Sequence, residues 1–307
     1  MPYLTTAAEI RSQIAKYTKA KTLWIDTEVA DYKSRNPRLS LIQILDHPQD
    51  MTGDSVYILD VLNKSDVIAA FIEQIMINES IEKVFHNASY DLKLLGNKKA
   101  KNITCTLEMA KSIPYHILPL PNYQLKTLAN VLCNFYGIDK QEQGSDWGIR
   151  PLSDDQLEYA YFDCIYLAQV HSKLLALQSQ VTTNPETEDL SLLSQRYTEV
   201  EQQKKLINSE FDYLQERLKK AMQVQNISET EYCKLSGYER KSVKVKFTEL
   251  VRLVENEDID LDFPITLTEK LQKELGRNLE QLDVDIEKSS VWRLIVKSQE
   301  EDVNNDE

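Results

Sequence analysis

The stretch that decides the fold is Leu23-Trp24-Ile25-Asp26-Thr27-Glu28, an apolar run carrying two carboxylates two residues apart. Side chains alternate faces along a strand, so Asp26 and Glu28 point one way and Ile25 and Thr27 the other. Like charges side by side on an apolar strand repel each other and are costly to strip of water. A divalent cation between them removes that cost. The alternative is an exposed strand end with two solvated acids, and Asp-x-Glu alone does not decide between the two.

Outward from this strand, Ala7–Tyr17 reads as an amphipathic helix, and Leu39–Leu45 and Ser55–Asp60 as two more strands joined through the turn-rich Asp46–Asp54. Asp66–Ile77 has helical periodicity, and Ile81–His86 is again a short strand. The order β-β-β-α-β, followed mostly by helices, predicts an α/β fold with a mixed sheet flanked by helices. A helix is expected to begin after Asn87 and to carry Asp91 in its first turns, where an acid is favourable through the helix dipole alone. Residues 103–135 read as one or two helices broken by the prolines of Pro114–Pro121.

Gly144–Ser153 reads as a loop, and Ser153 with Gln156 forms a capping box that starts a helix near Asp154, running to about Leu177. Leu157, Tyr161, Cys164, Ala168 and Leu175 make one apolar stripe on it, while Tyr159 and Asp163 lie one turn apart on the other side. A helix apolar nearly all round is buried on both sides, so Asp163 needs a partner. A salt bridge or hydrogen bond would serve, and Tyr159 could simply be core. Asp26, Glu28, Asp91 and Asp163 thus all stand where acids are costly. If they converge, they form an oxygen-ligand cage suited to two divalent ions, Mg²⁺ or Mn²⁺ rather than zinc. Two such ions about 3.5–4 Å apart are a known device for hydrolysing phosphodiesters.

The motifs Trp24-Ile25-Asp26-Thr27-Glu28, Phe85-His86-Asn87-Ala88-Ser89-Tyr90-Asp91 and Tyr159-Ala160-Tyr161-Phe162-Asp163 resemble, in order, those of ribonuclease D-type 3′→5′ exonucleases of the DEDD superfamily, tyrosine subclass. Ser145-Asp146-Trp147 followed by Arg150-Pro151-Leu152-Ser153 is a further ribonuclease D-like signature. The resemblance covers residues 1–178 and implies an RNase H-like sheet. It implies that Asp26, Glu28, Asp91 and Asp163 hold the metals and that Tyr159 orients the attacking water. It places Thr27 against the terminal nucleotide and His86 and Asn87 along the groove, a purely structural role being the alternative for His86. Trp147 is a candidate base-stacking platform or, equally, a loop tryptophan capping the core. The implied substrate is nucleic acid with a single-stranded 3′ end, RNA favoured over DNA, with nucleoside 5′-monophosphates as products and tRNA 3′ processing as one use. A Werner-type DNA exonuclease and a non-catalytic nucleic-acid-binding scaffold are the alternatives.

The 307 residues carry a net charge of -13, with 21 acidic and 18 basic side chains in residues 1–180 and 28 and 18 in residues 181–307. Acidity therefore concentrates in the C-terminal part, and an acidic total does not exclude a nuclease that holds metal with carboxylates. Cys105, Cys133, Cys164 and Cys233 form no Cys-x-x-Cys pair and have no histidine at zinc spacing, which points to a reducing compartment. No signal-peptide pattern or membrane-spanning run is read, so a cytoplasmic protein is expected.

Residues 179–189 read as a linker, and 190–225 as one long heptad helix. Leu190, Tyr197, Lys204, Phe211 and Leu218 fall at one seam position and Leu193, Val200, Ile207, Leu214 and Ala221 at the other. That seam could pair with a second copy, pack on the catalytic domain or receive later helices. Residues 226–298 read as a helical region with Arg240, Lys241, Lys244 and Lys246 as a small basic patch, and 299–307 as an acidic disordered tail. No match is read there to the helical HRDC domains that usually follow in ribonuclease D proteins.

Overall fold

The computed structural model describes residues 2–138, 141–257, 259, 264–287, 289–290 and 294. The expectation of a disordered tail over 299–307 lies outside them. Two compact units meet between Thr187 and Glu188.

The first unit opens with β1 (Tyr3–Leu4) and α1 (Ala7–Tyr17), whose start is fixed by a capping box between Thr6 and Glu9. Then come β2 (Thr22–Ala30), β3 (Arg38–Leu45), β4 (Tyr57–Asp60) and α2 (Ser65–Phe71), which continues as a π-helical turn over Ile72–Met76. β5 (Glu82–Phe85), β6 (Ile103–Cys105), α3 (Thr106–Ser112), α4 (Leu125–Cys133) and α5 (Asp154–Val181) complete it. The six strands form one sheet in the order β1-β4-β3-β2-β5-β6. β2, β3 and β4 are antiparallel neighbours, while β1, β5 and β6 join in parallel. This is the mixed, RNase H-like sheet with flanking helices that the motifs imply. β1 and β6, two and three residues long, were invisible to periodicity, which needs several alternations to register.

Strand parity divides the core. Leu23 and Ile25 face Ile10, Ile14, Phe71 and Ile75, while Trp24 faces Tyr161, Cys164, Ile165 and Ala168 of α5. α5 is buried on its other side too, where Val170 and Leu174 meet Met109, Leu128 and Ala129 of α3 and α4. Its N-terminus carries the capping box read from the sequence, with the Gln156 amide N–H donating to Ser153 Oγ at 3.1 Å. The stripe ends sooner than expected: Leu175 is exposed, because only the first part of α5 crosses the sheet.

The second unit holds α6 (Leu190–Val224), α7 (Phe247–Glu257) and α8 (Glu269–Leu275), which runs into a 3₁₀ turn over Gly276–Gln281. α5 runs on to Val181, so its last residues fall within the stretch expected as linker. Every heptad residue of α6 named above other than Lys204 and Ala221 is an exposed large hydrophobe, from Leu218 at 40% to Leu190 at 74%. Among the described residues, no helix is long and apolar enough to cross a membrane.

Candidate active site

Asp26 and Glu28 continue the parity of Trp24 and so face α5. Two contacts set the spacing between β2 and α5. The Trp24 indole N–H donates to His171 Nδ1 at 3.2 Å, and the Cys164 thiol donates to the Trp24 carbonyl at 3.6 Å. With α5 held there, Asp163 meets the strand's acids. One carboxylate oxygen from each of Asp26, Glu28 and Asp163 lies within 4.8 Å of the others. A register shift between Glu28 and Val29 interrupts the pairing of β2 with β3 just past these acids, and it resumes with Val29 opposite Leu39.

Asp91 does not join that cluster. The expected helix after Asn87 is a series of tight turns, with a 3₁₀ turn over Asp91–Lys93. Asn87 enters it at φ +60°, a left-handed conformation that asparagine tolerates better than most residues and that cannot begin a helix. Asp91 is buried, and the Thr27 hydroxyl donates to its Oδ1 at 2.6 Å. Thr27 has the opposite parity to Asp26 and Glu28, so its side chain ties Asp91 to the strand instead of standing open to a ligand.

Burial is the first cause of the raised pKa values of Asp26 and Glu28. Asp163 and Asp91 push Asp26 further up, and Asp26, Asp163 and Asp91 do the same to Glu28. Burial lifts Asp91 to about 6 against the opposing Thr27 hydrogen bond. The Tyr159 phenol is also pushed upward, by burial, by Asp163, Glu28 and Asp26, and by its hydrogen bond to Asp163. It is therefore a hydroxyl at any ordinary pH. A cluster of oxygen donors whose ionisation is resisted by its own surroundings fits a hard divalent cation, which would reverse the sign of the local field. Gln43, opposite Asp26 on β3 and so on the same face of the sheet, is fully buried with neither amide atom hydrogen-bonded.

These acids form the floor of an open cleft of about 680 Å³. Thr27, His86, Asn87, Trp147 and Tyr159 all border it. The Thr106 hydroxyl spends its proton on the Phe85 carbonyl at 3.2 Å, so it accepts from His86 Nδ1–H at 2.9 Å and fixes that tautomer.

Trp147 departs from the stacking expectation. It is 2% exposed within the α5-side core, its ring centroid 6.1 Å from that of Tyr159. A side chain packed on both faces supports Tyr159 and has no face to offer a base. Its loop is clamped: the Trp147 carbonyl accepts from Ser40 Oγ at 2.6 Å and from Arg150 Nη1 at 3.0 Å. Arg150 also grips Asp60 through Nε at 2.6 Å and Nη2 at 3.1 Å, and the Tyr3 hydroxyl donates to the same carboxylate at 2.7 Å. Burial pushes the Asp60 carboxyl up, but the bonds from Arg150 and Tyr3 outweigh it and hold the group below the usual carboxylate range.

Motif reasoning missed other groups on the cleft wall. Tyr32, Tyr90, Tyr123, Lys111 and Lys126 line it. Tyr32 and Tyr90 are 49% and 45% exposed. Tyr32 belongs to the turn between β2 and β3, at the end of which Arg38 bonds Asp31 and Asn63. Lysines from α3 and α4 carry no local pattern that marks a groove.

A family model for a 3′–5′ exonuclease domain matches residues 1–178. The chain belongs to this 3′–5′ exonuclease family. It is 26% identical over 215 residues to Ribonuclease D of Nitrobacter hamburgensis, covering 62% of this chain and 50% of that protein. It is 27% identical over 175 residues to Exosome complex exonuclease RRP6 of Saccharomyces cerevisiae, covering 56% of this chain and 22% of that protein. The chain thus spans about half or less of the length of these curated relatives. The solved structure of Escherichia coli RNase D, described as an exoribonuclease involved in structured RNA processing, superposes with a TM-score of 0.47 at 23% identity, covering 58% of this chain and 45% of that one.

Proposed function

We propose that this protein is a metal-dependent 3′→5′ exoribonuclease that removes nucleoside 5′-monophosphates one at a time from a single-stranded 3′ end, with tRNA 3′ trimming as one use. The observation that carries the proposal is the convergence of Asp26, Glu28 and Asp163 beside Tyr159 at the floor of an open cleft. In this reading Asp26, Glu28 and Asp163, with Asp91 nearby, would hold the divalent ions. Mg²⁺ or Mn²⁺ bound there would supply Lewis acidity to a phosphate oxygen and a more acidic water.

The remaining work falls to the protein. The Tyr159 phenol keeps its proton, so it acts as an orienting group whose oxygen accepts from the attacking water, not as the base. Its donation to Asp163 and the Trp147 ring behind it restrict where that oxygen points. Thr27 holds Asp91 in place, and His86 and Asn87 stand where the terminal nucleotide enters. Lys126 would meet the phosphates of an entering strand, as would Lys111 on leaving its ion pair with Glu108, and Tyr32 and Tyr90 would offer ring faces to its bases without regard to sequence. This grip sits on the cleft wall, so the acidic net charge of the chain does not oppose it. RNA is favoured over DNA because the Nitrobacter hamburgensis relative is a ribonuclease by name. The described cysteines are all free, which suits the reducing cytoplasm.

The test is digestion of 3′-labelled RNA and DNA strands of one sequence with Mg²⁺ or Mn²⁺, then with chelator. Mononucleotide release from RNA that stops with chelator and in Asp163→Asn is expected. Absence of metal-dependent hydrolysis of both strands rejects the enzyme, and faster release from DNA moves the reading to a Werner-type DNA exonuclease.

A further inference from the structure

The exonuclease reading leaves α6 unused. The helix is 35 residues long and starts cleanly, with Asp189 accepting from the Ser191 and Leu192 amides. Its apolar seam from Leu190 to Ala221 rises about 47 Å at 1.5 Å per residue. Along it Leu190, Leu193, Tyr197, Val200, Ile207, Phe211, Leu214 and Leu218 are exposed. A cover for such a seam must be of similar length. Of the other described helices of this unit, α7 has 11 residues and α8 has 7, reaching about 16 and 10 Å at the same rise. The helix in the chain that matches the seam residue for residue is α6 itself.

We propose that α6 pairs with α6 of a second copy as a parallel, in-register, two-stranded coiled coil, making the protein a dimer through its C-terminal unit. Three features of the sequence along the helix select this occupant. The positions flanking the seam are polar until the final turn: Ser194, Glu201, Asn208 and Gln215 on one side, Arg196, Gln203, Glu210 and Arg217 on the other. Polar flanks of this kind bound a seam for one partner helix, and Leu192, Leu206 and Tyr213, also exposed, lie outside it on the same helix. In the parallel register Arg196 of each copy faces Glu201 of the other, and no flanking pair carries like charges. In the full-overlap antiparallel register Arg196 instead meets Arg217. Lys204 takes a central seam position, and between two strands its stem lies along the seam while its ammonium reaches water at the edge, a route that closes as strands are added. The second copy is selected over an unrelated helix because the seam, its length and its flanking charges are then all matched by construction.

The inference stands independently of the catalytic reading and is tested on the full chain. Sedimentation velocity at tens of micromolar should give twice the 35.5 kDa chain mass, and an Ile207→Asp, Leu214→Asp double variant should sediment as one chain. Cleavage by the double variant in the 3′-label assay and its far-UV circular dichroism verify that the first unit remains folded. In a Cys233→Ser background, Leu214→Cys should form an inter-chain disulfide on mild oxidation, since position 214 faces its own counterpart only when the helices are parallel and in register. A single-chain mass for the wild type overturns the proposal. So does a dimer that survives the double variant, a mass of three or more chains, or a dimer without the position-214 cross-link.

Discussion

The sheet unit and α6 violate the usual division of polar and apolar groups in opposite directions. In residues 2–187 the costly groups are charges withdrawn from water: Asp26, Glu28 and Asp91 are all driven toward their neutral forms by burial. In α6 the costly groups are apolar side chains left in water, with Phe211 61% and Ile207 65% exposed. Each departure marks a surface built for something the isolated chain does not supply: a cation and a nucleotide in one case, a matching helix in the other. The difference also separates what each feature does to stability. The buried acids tax the fold that holds them, while α6 gains most of its stability only on pairing, because helical propensity alone stabilises a lone helix weakly.

The largest expected effect tests the first half of that contrast. Asp163→Asn should lower kcat on 3′-labelled RNA by roughly 10³-fold, the loss expected when a group that stabilises transition-state charge is removed. In chelator the same variant should melt at a higher temperature than the wild type, because it relieves repulsion among Asp26, Glu28 and Asp163. Added Mg²⁺ or Mn²⁺ should raise the melting temperature of the wild type more than that of the variant. Scanning fluorimetry in both conditions reads this, and a variant that melts lower in chelator would show that Asp163 stabilises the fold by itself.

Tyr159→Phe should cost less, roughly 10²-fold in kcat with KM little changed, because only the orienting hydroxyl is lost while the ring stays against Trp147. Steady-state kinetics checks it, and a matching rise in KM would move Tyr159 from orientation to substrate binding.

Arg150→Met unpairs a mostly buried carboxylate, Asp60, which keeps Lys64 at 3.6 Å and the Tyr3 hydroxyl. A loss of about 2 kcal/mol in urea unfolding is expected, within the range for hydrogen bonds to charged groups. Since Arg150 also binds the Trp147 carbonyl, kcat should fall with stability. An active but destabilised variant would show that the clamp serves the fold alone.

The smallest effect is a pH slope. Burial holds His171 below the ordinary 6.5, against the attraction of Glu82. As pH falls through 6.5 the unfolded chain takes up this proton first, so stability is lost from 6.5 down to the folded value. Asp91 acts in the opposite sense without metal. Its folded value of about 6 lies above the ordinary 3.8, so the folded state takes the proton first and gains stability as pH falls from about 6 toward 3.8. In chelator, His171→Gln should therefore lose less stability than the wild type below pH 6.5, and Asp91→Asn should lose the acid-side gain. Melting temperatures between pH 5 and 8 separate the two.

Much of this was legible in the residues. Strand parity alone sent Asp26 and Glu28 to the face that α5 covers, and the Ser153–Gln156 capping box fixed the start of the helix that carries Tyr159 and Asp163. These signals are local: parity repeats every two residues, and a cap is closed by residues three apart. The heptad of α6 was readable for the same reason. Whether a side chain ends in a groove or under it is not local. Trp147 read equally well as platform or core, and Ser40, Asp60 and Arg150, more than 80 residues apart along the chain for the longest bonds, turned it inward.

The sequence by itself determined the alternation that makes β2 a two-faced strand, the helix beginnings, the ordered motifs and the length and flanking charges of the α6 seam. Each of these follows from dihedral and side-chain periodicity within a few residues. Only the tertiary structure decided that three acids meet within 4.8 Å while Asp91 is held aside by Thr27, that Trp147 supports Tyr159, and that Tyr32, Tyr90, Lys111 and Lys126 share one wall. Those outcomes depend on packing between elements far apart in the chain, where a shift of one residue in register or one turn of α5 would bring different atoms together.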